Sequence, residues 1–149
     1  MAASSMQIVP FGDQHRSAVL RLFDDNAPAF FHPDEREALT RFLSQQAAIY
    51  RVVVDDGEVI GAFGLRDEGE RRGRIVWFMA APSRHGQGVG RLMIEHLLDE
   101  ARARGVTTID IAASHVSEAF YIHFGATRHR RVEDGWGEGM HRVDMILEI

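Results

Sequence analysis

Three glycines at alternate positions, Gly86, Gly88 and Gly90, follow an apolar run over residues 75–81 and precede helical periodicity over residues 88–104. Glycine tolerates positive φ and close backbone approach. An apolar strand feeding such a turn and a helix start therefore lets several N–H groups converge on one anion. The chemistry implied is recognition of a phosphate-bearing ligand. The same spacing also serves a tight turn with close helix-to-strand packing, and the pattern alone does not choose between them. The dinucleotide fingerprint G-x-G-x-x-G would need glycine where Arg91 stands, and the Gly-Lys-Ser/Thr of a P-loop is absent.

The elements that must position this turn can be read in chain order. Residues 6–11 are a short apolar strand with Pro10 at its margin, and Asp13 reads as the N-cap of a helix over 14–25 with Ala18, Val19, Leu22 and Phe23 on one face. Two prolines break residues 26–33 into a loop whose Phe30 and Phe31 fold inward, and a second helix follows with Leu39, Phe42 and Leu43 on one face. Strands over 48–55 and 58–65 join through Asp56-Gly57, a hairpin signal, and the charged residues 66–74 read as the next turn. The run 75–81 is continuously apolar, as in a strand covered on both faces.

Val89, Leu92, Met93, Leu97 and Ala101 form the buried stripe of the helix that closes at Gly105. A strand over 107–113 follows, so the pair flanking this helix is parallel. Residues 116–124 are a short helix, 126–132 a strand, 134–139 a glycine-rich hairpin tip and 141–149 an alternating final strand. No repeat or linker interrupts the chain, and one domain over 1–149 is expected.

Composition narrows the function classes. A domain of 149 residues buries roughly 70% of its unfolded surface without disulfides or metals. The absence of cysteine rules out a cysteine nucleophile or a thiolate metal site, and suits a reducing compartment without requiring one. A net charge of −5 with dispersed cations speaks against a nucleic-acid partner. No segment approaches the roughly 18 apolar residues of a membrane span, nor is there a signal peptide, so a cytoplasmic protein with no membrane partner is expected. No two of the eight histidines stand at i,i+3 or i,i+4, which leaves no metal expected. Ser114 and His115 are chain neighbours without G-x-S-x-G and do not read as a hydrolase dyad. Trp136, among glycines, reads as a lid, a dimer contact or an exposed aromatic.

The run APSRHGQGVGRLMIEHLLDEARARG resembles the acetyl-CoA-binding motif of the GCN5-related N-acetyltransferases, the GNAT family, and SHVSEAFYIHFGA resembles the motif that follows it there. The order of elements is similar over essentially the whole chain. The resemblance implies a mixed α/β fold: a central sheet of about seven strands flanked by about four helices, splayed at its central parallel strands. It implies acetyl-CoA as co-substrate and direct transfer of the acetyl group to an amine acceptor, small molecule or protein. A homodimer is common among similar proteins.

The family's Gln/Arg-x-x-Gly-x-Gly/Ala signature falls on His85, Gly86, Gln87, Gly88, Val89 and Gly90, with His85 departing from the usual Gln or Arg; Arg84 or Arg91 would supply the missing charge. The resemblance assigns the pantetheine arm to the bulged strand end at Phe78, Met79, Ala80 and Ala81, and to Ser114 where asparagine is usual. It aligns Tyr121 with the tyrosine that protonates the departing thiolate. The glutamate that many relatives place on the central strand is missing from residues 75–81, leaving His32, Asp34, Glu35 and His141 as candidates for the base. An acyl-CoA-binding module without turnover is the alternative reading, and a nucleotide-binding regulatory domain a third.

Overall fold

A computed structural model of the chain describes residues 5–149. Seven strands form one sheet: β1 (Met6–Pro10), β2 (Tyr50–Asp55), β3 (Glu58–Gly69), β4 (Arg72–Ala80), β5 (Thr108–Ser114), β6 (Thr127–Gly137) and β7 (Met140–Glu148), in the order β1-β2-β3-β4-β5-β7-β6. Four helices flank it: α1 (Arg16–Asn26), α2 (Arg36–Gln45), α3 (Val89–Ala103) and α4 (Glu118–His123). α1 and α2 bury Val19, Leu22, Phe23, Leu39, Phe42 and Leu43 on one face of the sheet, against Tyr50, Val52 and Met79. α3 and α4 bury Met93, Ile94, Leu97 and Tyr121 on the other, against Phe63, Ile109 and Val143. The mixed α/β fold expected from the sequence is therefore the fold observed.

Every neighbouring pair of strands is antiparallel except β4 and β5. That parallel pair is joined only at Arg72↔Thr108, Gly73↔Ile109 and Arg74↔Asp110, after which the strands diverge. The cause lies in β4. Between the pairs Gly64↔Val76 and Ala62↔Met79, the two residues Trp77 and Phe78 face Phe63 alone, a β-bulge with Trp77 at φ 44°. A bulky residue in that region is strained by about 1–3 kcal/mol and persists only where its surroundings hold it. Here the holder is Tyr50, only 1% exposed, whose hydroxyl donates to the Trp77 carbonyl at 2.6 Å.

Several sequence expectations are corrected. Gly12, not Asp13, takes the N-cap position, before a short 3-10 turn leading into α1; Asp13 pairs with Arg16 instead at 3.0 Å. Residues 66–74 are mostly strand, and only Glu70 and Arg71 turn, both at positive φ (54° and 62°) between the paired Gly69 and Arg72. Their charges lie along the sheet and pair there, Arg66 and Arg74 with Glu68 and Arg72 with Asp110, so alternating charge marked a solvated strand rather than a loop. β6 continues to Gly137, which leaves Glu138 and Gly139 as the hairpin tip. Trp77, Phe78 and Ala80 are only half-buried, because the splay opens a cleft beside them.

Removing the Tyr50 hydroxyl leaves the bulge carbonyl without its donor. Tyr50→Phe is expected to lower unfolding stability by about 1–3 kcal/mol in denaturant titration, more than an ordinary hydrogen bond. A variant as stable as the wild type would show that the bulge stands without this bond.

Candidate active site

Where β4 and β5 part, a cleft of about 750 Å³ runs between them, from the start of α3 to the loop that joins α1 and α2. The end at the start of α3 is built by the alternating glycines, each for a different reason. Gly86 and Gly88 hold φ of 82° and 87°, and Gly88 is the left-handed N-cap of α3. Gly90 is required by contact instead: a Cβ there would lie 2.9 Å from the Phe120 ring. α4 thus packs close against the first turn of α3.

The turn also decides which amides are free. His85 and Gln87 donate to the carbonyls of Pro82 and Arg84 at 3.2 and 3.1 Å, while Gly86, Gly88 and the first-turn residues Val89, Gly90 and Arg91 have no backbone acceptor among the described residues. The open amides belong to a left-handed turn and a helix N-terminus, where partial positive charge gathers. Of the candidate cations, Arg84 is tied to Asp55 at 2.8 Å. Arg91 is exposed on the cleft wall, 3.4 Å from Glu95 and 5.3 Å above the Phe124 ring. The His85 ring meets Phe30 edge-on at 5.2 Å.

Met79, Ala80, His85, Gly86, Gly88, Val89, Gly90, Arg91, Ser114 and Tyr121 all line the cleft; Ala81 and Gln87 do not. The Ala81 N–H is bound to the Ile60 carbonyl at 2.8 Å, and the Ala80 carbonyl accepts from Asn26 at 3.1 Å. Ser114, 7% exposed, shares a 3.1 Å hydrogen bond with the Ser117 hydroxyl. Tyr121 is 6% exposed, packed edge-on to Phe78 and Phe120, and burial pushes its phenol above the ordinary value. Its hydroxyl has no hydrogen-bond partner among the described residues and is not sealed from the cleft.

The opposite end contains residues that sequence motifs did not mark. Asn26, 3% exposed, donates to both the Leu22 and Ala80 carbonyls, joining the end of α1 to the end of β4. Phe31 stacks on Trp77 with ring centres 6.1 Å apart. Trp136 lies half-buried in the cleft wall, its indole N–H donating to the Ala113 carbonyl at 2.9 Å. It closes the end of β5 rather than standing exposed at a tip. Next to it in sequence, a Cβ at Gly137 would collide with the His32 ring, so the β6–β7 hairpin and the α1–α2 loop touch.

The four candidate bases separate cleanly. His141 faces His115 and Glu133 and lies outside the cleft, Asp34 is exposed, and the His32 Nδ1 accepts the Asp34 N–H. Glu35 alone lines the cleft. Its Oε2 accepts the His32 N–H at 2.9 Å, and burial raises its carboxyl to about 7, partly offset by that hydrogen bond and by the nearby His32. Among the described residues, no helix is long and apolar enough to cross a membrane.

The family model described as "Acetyltransferase (GNAT) family" matches residues 18–126. Among solved structures, Ard1 from Thermoplasma volcanium is similar at 14% identity and a TM-score of 0.83, over 97% of this chain and 98% of that one. The ribosomal-protein-S18-alanine N-acetyltransferase from Escherichia coli is similar at 20% identity and 0.77, over 97% and 94%. PaiA N-acetyltransferase from Thermoplasma acidophilum, solved in complex with coenzyme A, is similar at 11% identity and 0.76, over 97% and 99%. No curated protein sequence matches the chain. With the family model covering most of its length, and with a sheet that splays beside a glycine-lined helix start, the chain belongs to the GNAT family of acetyltransferases.

Proposed function

We propose that the chain transfers an acetyl group from acetyl-CoA directly to an amine, with both substrates bound together and Tyr121 as general acid. The observation that carries this reading is the Tyr121 hydroxyl, unpartnered within the protein and open to the cleft between the splayed strands. The amides of Gly86, Gly88, Val89 and Gly90 would hold the pyrophosphate, with Arg91 supplying the side-chain charge that His85, turned to Phe30, does not. The β4 backbone at Met79 and Ala80 and the Ser114 hydroxyl would align the pantetheine arm. Direct attack is favoured over a cysteinyl intermediate because the chain has no cysteine.

The acid role follows from the burial of Tyr121. A phenol kept protonated by its surroundings donates a hydrogen bond to sulfur as the C–S bond breaks, stabilising charge that exists only late in the reaction. Its raised pKa makes complete proton transfer to a thiolate of conjugate pKa near ~8.5 uphill, so donation must coincide with relief of the proton on nitrogen.

The chain has no lysine, so acetyl transfer in an assay is not masked by modification of its own side-chain amines. CoA release measured with a panel of amines is expected to depend on the amine. Binding of acetyl-CoA without amine-dependent release would instead favour an acyl-CoA-binding module. Tyr121→Phe is expected to lower kcat by about 10²–10⁴-fold while acetyl-CoA affinity stays within about twofold; unaltered turnover would remove Tyr121 from the mechanism. Gly88→Ala places a Cβ at φ 87° and is expected to weaken CoA binding about tenfold in calorimetry. Unchanged affinity would take the helix start out of the donor site.

A further inference from the structure

Glu35 is the only carboxylate on the cleft wall among the described residues. One oxygen is fixed by the His32 N–H at 2.9 Å, and the other has no hydrogen-bond or ion-pair partner among the described residues. The stacked Phe31 and Trp77, and Trp136, line the same cleft, and His32, whose N–H binds Glu35, meets Gly137 of the β6–β7 hairpin. The other charged groups on that side of the wall are Arg66 and Arg74, which share Glu68, and beyond Phe30 lies His85. Burial raises the Glu35 carboxyl, and the His32 N–H and charge oppose it in part.

We propose that Glu35 is the general base of the transfer, and that its acceptor is a primary monoamine with its nitrogen at Glu35 and an apolar body against Phe31 and Trp77. This rests on the acetyl-transfer reading. A single carboxylate serves a single ammonium group; a second cation on the acceptor would meet Arg66 and Arg74.

The proton steps balance with the groups present. The ammonium gives one proton to the Glu35 carboxylate, and the freed nitrogen lone pair bonds to the thioester carbonyl carbon. The C–S bond breaks with its electron pair going to sulfur, which takes the Tyr121 proton as the new C–N centre returns its surplus proton to the Tyr121 oxygen. The products are the amide, the CoA thiol and protonated Glu35, which gives its proton to solvent before the next turnover. A primary amine near pKa ~10 loses its proton to a group at about 7 against a roughly thousandfold gradient, compared with about a millionfold for an ordinary carboxylate.

Glu35→Gln keeps the acceptor for the His32 N–H and removes the base. With phenethylamine as acceptor, wild-type kcat at saturation is expected to rise with pH and level off above about 7. The variant is expected to lose this inflection and about 10²-fold in kcat, with acetyl-CoA affinity unchanged. Phenethylamine is expected to exceed spermidine at least tenfold in kcat/KM. A second arm needs no turnover. A carboxyl whose folded pKa is raised contributes stability below its unfolded value near 4.5 and loses it as pH rises through about 7. The melting-temperature advantage of Glu35→Gln over wild type should therefore grow between pH 4.5 and 7. Transfer that survives in Glu35→Gln with its inflection intact, or a flat melting difference, overturns the base. Preference for spermidine overturns the monoamine. Failure of every amine to release CoA from the wild type brings down the transfer reading itself, and this proposal with it.

Discussion

The hydrogen bond from the buried Tyr50 hydroxyl to the Trp77 carbonyl is the constraint from which the working part of the molecule follows. A sheet left to itself would continue pairing β4 with β5, filling backbone groups that otherwise lack partners. The extra residue in β4 prevents this after three residue pairs, and the resulting gap lies across the middle of a seven-stranded sheet. The layers on either side are complete without it. α1 and α2 form one core and α3 and α4 the other, so the structure tolerates a central cleft that would unravel a thinner fold.

The cleft is electrically uneven. At the α3 end, open amides and Arg91 offer positive potential, suited to phosphate, whereas the other end carries Glu35, the one carboxylate on the wall among the described residues. Burial acts on both titratable groups that face the chemistry and raises both, with opposite consequences. It keeps Tyr121 a proton donor at every physiological pH, and it brings Glu35 to the neutral range, where it can accept. One physical cause thus leaves one group protonated and brings the other into the neutral range.

Much of this could be read from the sequence because it is carried by local pattern. The glycine triplet after an apolar run, the stripe on residues 89–101 and the Asp56-Gly57 turn each act through near neighbours, and the elements lie where those patterns put them. Residues 66–74 misled because charge was taken as a sign of loop, although a strand face open to solvent takes paired charges equally well. Glu35 could be named as one of four candidates but not chosen. What distinguishes it from Asp34, one position away, is desolvation by segments remote in sequence, which no spacing rule records. Trp136 was ambiguous for the same reason: its indole finds the Ala113 carbonyl only once β5 and β7 are paired.

The contact between His32 and Gly137 has a consequence for how the two ends of the cleft come into being. The α3 end of the cleft draws on residues between 75 and 124, whereas His32 and Gly137 join positions about a hundred residues apart. The entropy of closing so long a loop is recovered only when the C-terminal hairpin has docked. The glycine turn and Tyr121 need that docking as well, because Val143, Met145 and Leu147 of β7 fill the core on which α3 and Tyr121 pack. The two ends of the cleft are thus completed together, by the same C-terminal hairpin.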